Sequence, residues 1–199
     1  MERSLLQGDT EGGITYMRMD EGLDTGPIMK SLPCPISLEE NYESLEKKYQ
    51  NLSKNELIKF LDDLADGRVR EARQDSERAC YAEKIEKKET EIFWKAESEE
   101  FINRKIRALF PKYGAFTFMG DKRVKILSCC KAYISQQLSP GEIYVSEGEY
   151  LYAGCLDNKV LKIQLIQPEG KRAITGEDFI KGNREKISQI KKFSSSLEK

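Results

Sequence analysis

Apolar and polar residues in the first 70 positions form two extended runs, followed by two stretches with helical spacing. Residues 14–19 and 28–36 are rich in types that favour strands, and a loop dense in Gly and Asp joins them. Residues 38–51 and 54–66 carry leucines and tyrosines at helical intervals, and a Ser-x-x-Glu capping sequence stands at the start of each. The pattern therefore predicts two strands followed by two amphipathic helices.

Residues 71–91 interrupt this pattern, because apolar residues become sparse and charged residues dominate. Such a stretch is typical of a connector, so we predict a basic linker between two domains. Three lysines, Lys84, Lys87 and Lys88, lie close together in it. Glutamates alternate with them, so from the residues alone a solvated charge run is the usual interpretation.

Residues 92–183 combine one helical stretch with several short extended runs. Ser98 is placed to cap a helix whose apolar stripe comprises Ile102, Ile106 and Leu109. Turn sequences separate five β-like runs, at residues 115–119, 124–129, 141–145, 150–153 and 160–166. Five short strands and a helix predict a small β-barrel of OB-like type. Residues 184–199, rich in Lys and Ser, are predicted to be a frayed basic tail.

Composition narrows the chemistry available to the chain. Its net charge is −1, so contacts with nucleic acid would depend on local clusters of Lys and Arg. There is no histidine, which excludes Ser-His-Asp, Cys-His and His-metal chemistry from its own residues. The five cysteines have no CxxC spacing, so we expect reduced thiols and no metal. Without a long apolar run or a secretory leader, we expect a cytoplasmic protein.

Seven short segments form a recognisable set of motifs: Gly-Asp-Thr-Glu at 8–11, Gly-Ile-Thr at 13–15, Met-Asp-Glu-Gly-Leu-Asp-Thr-Gly at 19–26, Tyr-Ala-Glu-Lys-Ile at 81–85, Arg-Ala-Leu-Phe-Pro at 107–111, Gly-Ala at 114–115, and Gln-Pro-Glu-Gly-Lys at 167–171. In this order, which extends along most of the chain, they resemble the methionyl-tRNA branch of the 10-formyltetrahydrofolate-dependent formyltransferases. Together they are far more specific than any one of them.

The resemblance implies a fold and a catalytic residue. Residues 1–70 would be the C-terminal part of an α/β, doubly wound formyltransferase domain, followed by the linker and the OB-like barrel. The family's catalytic Asn, His and Asp surround the formyl carbon of 10-formyltetrahydrofolate, and only the Asp matches this sequence, at Asp24. Gly22 and Leu23 would contact the donor. Without the family match, Asp24 is better explained as a residue that shapes its own turn.

The resemblance also implies the acceptor, initiator methionyl-tRNA, whose amino group is formylated for translation initiation. Lys84, Lys87 and Lys88 would contact the tRNA, and so would Arg104 and Arg107. The two arginines also suit the C-terminal end of their helix for reasons of dipole alone. We expect a monomer.

Two other functions compete with this one: a sugar-nucleotide N-formyltransferase of the same superfamily, and a non-catalytic tRNA-binding remnant. We also expect the chain by itself to be inactive, because the family's Asn, His and folate-binding turn are not in the sequence.

Overall fold

The computed structural model describes residues 1–198, and its first part is a short helix, a hairpin and a long helix. Helix α1 spans Glu2–Gln7, strands β1 and β2 span Glu11–Met17 and Ile28–Pro35, and helix α2 spans Tyr42–Ala65. The two strands are antiparallel and form a two-stranded sheet. The hairpin therefore presents its connecting loop, residues 18–27, at one end.

Helix α2 corrects the prediction of two helices at 38–51 and 54–66, which was wrong. The helix runs without interruption through the second capping sequence, because neither Gly nor Pro separates the two halves. It also starts later than predicted. Asn41 caps it by accepting from the amide of Ser44 at 2.9 Å, and the amide of Asn41 donates to the Ser44 hydroxyl at 3.1 Å.

The second part is a mixed α/β unit built on a barrel-like antiparallel sheet. Helix α3 spans Glu99–Leu109, where Ser98 caps it as predicted. The later elements are β3 (Ala115–Met119), β4 (Lys122–Ala132), β5 (Ile143–Val145), β6 (Leu151–Gly154), β7 (Val160–Pro168), β8 (Ile174–Thr175), α4 (Gly176–Ile190) and β9 (Phe193–Ser194). The five predicted strands correspond to β3 to β7. The strand order is β5-β6-β7-β4-β3-β9, and β8 pairs with β7.

The segment after α4 nearly closes this sheet into a barrel. Strand β9 pairs with β3, while the amide of Ile143 donates to the Lys191 carbonyl at 2.8 Å and the amide of Phe193 donates to the Gly141 carbonyl at 2.7 Å. Residues 191–194 thus lie between the two outer strands, β3 and β5. The prediction of a frayed tail was wrong through residue 198, since Ile187 and Phe193 are buried apolar anchors within a sequence otherwise rich in Lys and Ser.

The main core lies inside the barrel, where the apolar face of α3 packs against the sheet. Trp94 is fully buried there, and its indole N–H donates to the Thr117 hydroxyl at 2.9 Å. A second, smaller cluster of Leu5, Ile36, Leu45 and Ala108 joins the first part to α3. Among residues 1–198, no helix is both long enough and apolar enough to cross a membrane.

Candidate functional site

The loop between β1 and β2 has a backbone that depends on its small residues. A Cβ added at Gly26 would lie 1.7 Å from the carbonyl oxygen of Arg18, so only glycine fits there. Asp20 organises the turn: one of its carboxylate oxygens accepts from the Gly22 amide at 3.0 Å and from the Thr25 hydroxyl at 2.6 Å. The loop is therefore a shaped structure held by its own side chains.

Asp24, the predicted catalytic residue, lies at the exposed tip of this loop with a left-handed backbone, φ 57°. Gln74, from the predicted linker, braces the tip: its amide group donates to the Asp24 carbonyl at 2.8 Å and to the Gly26 carbonyl at 2.6 Å. Gly22 is exposed, and so is Leu23, with 85% of its surface accessible. The three predicted site residues thus share one solvent-facing loop, and their roles remain predictions.

The three predicted RNA-binding lysines of the linker are all exposed. Lys87 and Lys88 open a 3-10 turn, Lys87–Thr90, whereas Lys84 precedes it in irregular backbone. Lys88 pairs with Glu86 at 2.8 Å, and that hydrogen bond raises the pKa of the lysine. The lysines therefore lie at the surface, two in a local turn and Lys84 just before it.

Arg3 of α1 fixes this turn in place. Its guanidinium donates to the carbonyls of Glu83 and Lys84, both at 3.0 Å, and forms a two-pronged pair with the Glu89 carboxylate at 2.5 and 3.1 Å. The hydrogen bond from Arg3 is the main reason that the pKa of Glu89 is lowered to about 2. The lysine-bearing segment is consequently tied to α1 at its backbone and at one side chain.

Arg104 and Arg107 line a different feature, a cavity of about 300 Å³ between the first part and the barrel. Arg104 donates to the Gln7 carbonyl at 2.8 Å, and its Nε is buried without a hydrogen-bond partner among residues 1–198. Arg107 donates to the Asn103 side chain at 2.9 Å and to the Glu40 carbonyl, and burial lowers its pKa. Both side chains therefore hold the two parts of the chain together, whether or not they also contact RNA.

Sequence reasoning missed Arg3 and Gln74. Each acts across a long separation, 80 residues for the bond from Arg3 to the Glu83 carbonyl and 50 for the bond from Gln74 to the Asp24 carbonyl. No local pattern marks such pairs, since a lone Arg or Gln in a polar segment has no preferred partner. Within residues 1–198, no three His, Cys, Asp or Glu side chains are grouped to hold a metal ion.

Two family models match the chain. One, described as formyl transferase, matches residues 1–61, and the other, described as formyl transferase, C-terminal domain, matches residues 84–184. Gln74, whose side chain reaches the Asp24 loop, lies in the unmatched interval between the two models.

Curated relatives extend this similarity over most of the chain. The methionyl-tRNA formyltransferase of Pseudoalteromonas translucida is 34% identical over 193 residues, which cover 94% of this chain and 59% of that protein. The one from Kosmotoga olearia is 36% identical over 181 residues, covering 88% of this chain and 56% of that protein. The chain thus spans less than two thirds of the length of these relatives.

Solved structures share the fold. HypX from Aquifex aeolicus in complex with tetrahydrofolic acid has a TM-score of 0.72 at 16% identity and covers 96% of this chain and 33% of its own. An N-formyltransferase from Helicobacter canadensis, solved with folinic acid and dTDP-3-aminofucose, has a TM-score of 0.63 at 18% identity and covers 83% of this chain and 58% of its own. The solved structures show the fold alone, whereas the family models and the curated relatives show that the chain belongs to the formyl transferase family.

Proposed function

We propose that this chain serves in formyl transfer from 10-formyltetrahydrofolate to the amino group of initiator methionyl-tRNA. The observation that carries the proposal is the 34% identity to a methionyl-tRNA formyltransferase over 94% of the chain. We also propose that the barrel has an OB-like topology and that residues 1–70 are the C-terminal part of a doubly wound domain. The protein is proposed to be a monomer in the cytoplasm.

The proposed chemistry assigns Asp24 a supporting role. The attacking amine must lose a proton while the formyl oxygen gains negative charge, and an imidazole beside an amide donor can meet both needs. A carboxylate orients and charges such an imidazole. Because the sequence has no histidine, that imidazole must come from other residues of a complete site. The exposed backbone at Gly22 and the exposed Leu23 side chain are available to contact the folate donor.

The proposed tRNA contacts divide into two groups. Lys84, Lys87 and Lys88 are exposed on a segment that Arg3 anchors, so they can meet phosphates without a large loss of backbone freedom. Arg104 and Arg107 already donate to groups of the first part, so their proposed contribution is smaller. Contacts of this kind supply affinity and little sequence discrimination.

Binding of methionyl-tRNA at several salt concentrations tests the acceptor. In one triple variant, Lys84, Lys87 and Lys88 are each replaced by Gln, which should weaken binding. The slope of log K against log salt concentration should become shallower by about 2 to 3, because each lost phosphate contact removes about 0.9 from it. The matched control replaces three exposed lysines of α2, namely Lys47, Lys54 and Lys59, and should leave both quantities unchanged. Equal losses in the two triple variants would contradict the proposed tRNA surface.

A formylation assay tests the catalytic half of the proposal. The purified chain, supplied with methionyl-tRNA and 10-formyltetrahydrofolate, should yield no formylmethionyl-tRNA, because the imidazole is missing. Detectable product would overturn that expectation.

Stabilisation of the protein by a dTDP-sugar and none by tRNA would favour the sugar-nucleotide enzyme. Salt-dependent tRNA binding without any response to folate would favour the non-catalytic remnant.

A further inference from the structure

The cavity between the first part and the barrel is lined by two arginines whose hydrogen-bond acceptors are neutral groups. Arg104 and Arg107 lie one turn apart on α3, and both side chains line the cavity. Arg104 donates to the Gln7 carbonyl at 2.8 Å. Arg107 donates to the side-chain oxygen of Asn103 at 2.9 Å and to the Glu40 carbonyl. Among residues 1–198, neither guanidinium forms an ion pair with a carboxylate.

This arrangement is energetically costly, because a guanidinium keeps its charge in proteins and cannot avoid burial by losing a proton. Burial lowers the pKa of Arg107, and the positive charge of Arg104 acts in the same direction, whereas Glu39 opposes both. The Nε of Arg104 is buried, and it has no hydrogen-bond partner among residues 1–198. Charges withdrawn from water are usually paired in proteins. A negatively charged ligand in the cavity would therefore stabilise both side chains.

The other charged residues of the cavity wall do not balance the arginines. Lys131 of β4 is already paired with Glu99, at 3.6 Å. Asp9, Glu39 and Glu100 also line the cavity, but all three are exposed, so water and salt screen their charges. The charge left to a ligand in the interior is therefore that of two guanidinium groups, which a dianion would match.

The opposite wall of the cavity comes from the first part of the chain and is partly apolar. Leu5, Ile36 and Leu38 line it, together with the hydroxyl-bearing residues Thr10 and Ser37. The volume, about 300 Å³, is at the small end of the range for ligand sites. An apolar wall suits a short carbon chain better than a bare inorganic ion, and the planar fork of a guanidinium matches a carboxylate.

We propose that this cavity binds a small organic dicarboxylate, with its carboxylates at Arg104 and Arg107 and its carbon chain against Leu5, Ile36 and Leu38. Such a ligand contacts α3 on one side and the first part of the chain on the other, so its binding stabilises the contact between them. The site requires neither tRNA nor folate, and the inference therefore does not rest on the proposed function.

Calorimetric titration of the full chain with succinate and glutarate, at constant ionic strength and without tRNA, tests the proposal. Inorganic phosphate and succinamide should each bind at least about tenfold more weakly, because phosphate lacks the carbon chain and the diamide lacks the charge. Arg107→Gln should weaken succinate binding about 10- to 150-fold, the loss expected for a hydrogen bond to a charged group. The control is Arg172→Gln, since Arg172 is exposed and lies outside the cavity wall, and it should leave binding unchanged.

Because Arg107 also donates to the Glu40 carbonyl, a second pair of variants leaves both arginines in place. Ser37 is an exposed residue of the cavity wall. Ser37→Asp adds a permanent carboxylate there and should weaken succinate binding about tenfold or more, whereas Ser37→Asn, of nearly the same shape but neutral, should not.

Three results would overturn the proposal: no dicarboxylate binding by the parent chain, equal binding by the two Ser37 variants, or phosphate binding as tight as that of succinate. Weaker tRNA binding by Arg107→Gln, in a chain that does not bind succinate, would assign the arginine to the tRNA alone. Succinate binding by a chain that fails to bind tRNA would support this site and refute only the proposed function.

Discussion

Replacing Phe193 with alanine tests whether residues 191–194 are part of the barrel core. The ring of Phe193 is fully buried and stacks on Trp94, with centroids 5.8 Å apart and planes 15° from parallel. Removing a buried phenyl ring costs about 3–5 kcal/mol, because its contacts are lost and the rigid neighbours fill the space only in part. A loss of about 4 kcal/mol shifts the folding equilibrium roughly a thousandfold.

Urea unfolding measures this loss, with circular dichroism as the main probe and the fluorescence of Trp94, the only tryptophan of the sequence, as the second. Leu197→Ala, three residues after this segment, is the control, since Leu197 is 84% exposed and its effect should stay within about 0.5 kcal/mol. A loss below about 1 kcal/mol for Phe193→Ala, or equal losses in the two variants, would refute the closure of the barrel by this segment.

Three further substitutions probe the first part, α4 and the linker. Gly26→Ala should speed amide exchange across β1 and β2 tenfold or more, about 1.4 kcal/mol, because its methyl group meets backbone 1.7 Å away. The methyl group of Gly182→Ala would meet no atom of residues 1–198 within 4 Å outside its own stretch of helix, so the free energy of unfolding in urea should rise by up to about 1 kcal/mol. Arg3→Met should make the free energy of unfolding less dependent on pH in the acid range. The folded pKa of Glu89 is about 2, below its ordinary 4.5, so its stabilisation is present above pH 4.5 and disappears toward pH 2. Urea midpoints across that range check this, and an unchanged pH profile would contradict it.

The features that sequence predicted correctly are those that local rules determine. The cap of α3 needs only Ser98 before a polar first turn, and the side chain does accept from the Phe101 amide at 3.2 Å. Strands such as β3 and β7 are bounded by turn residues and rich in apolar types, so their existence could be predicted within a few positions. The loop between β1 and β2 could be predicted because its Gly and Asp residues are contiguous.

The features that sequence missed depend on partners distant along the chain. Ser53 carries a valid capping sequence, yet the helix passes through it because residues on both sides favour helix and pack on the hairpin, where Phe60 stacks on Tyr16 at 4.5 Å. Phe193 looks isolated among polar residues until β3 and Trp94 are placed beside it. The brace from Gln74 to the Asp24 loop is likewise visible only in three dimensions.

The attachment of Arg3 to residues 83 and 84 has a consequence for the architecture of the chain. The polypeptide leaves α1, forms the hairpin and α2, and returns to the same place after about 80 residues. The hairpin and α2 therefore resemble an insertion whose first and last residues lie close together. The entropy cost of closing such a loop depends only weakly on its length. The hairpin and α2 can therefore vary in size among related chains while α1, α3 and the barrel keep their mutual geometry.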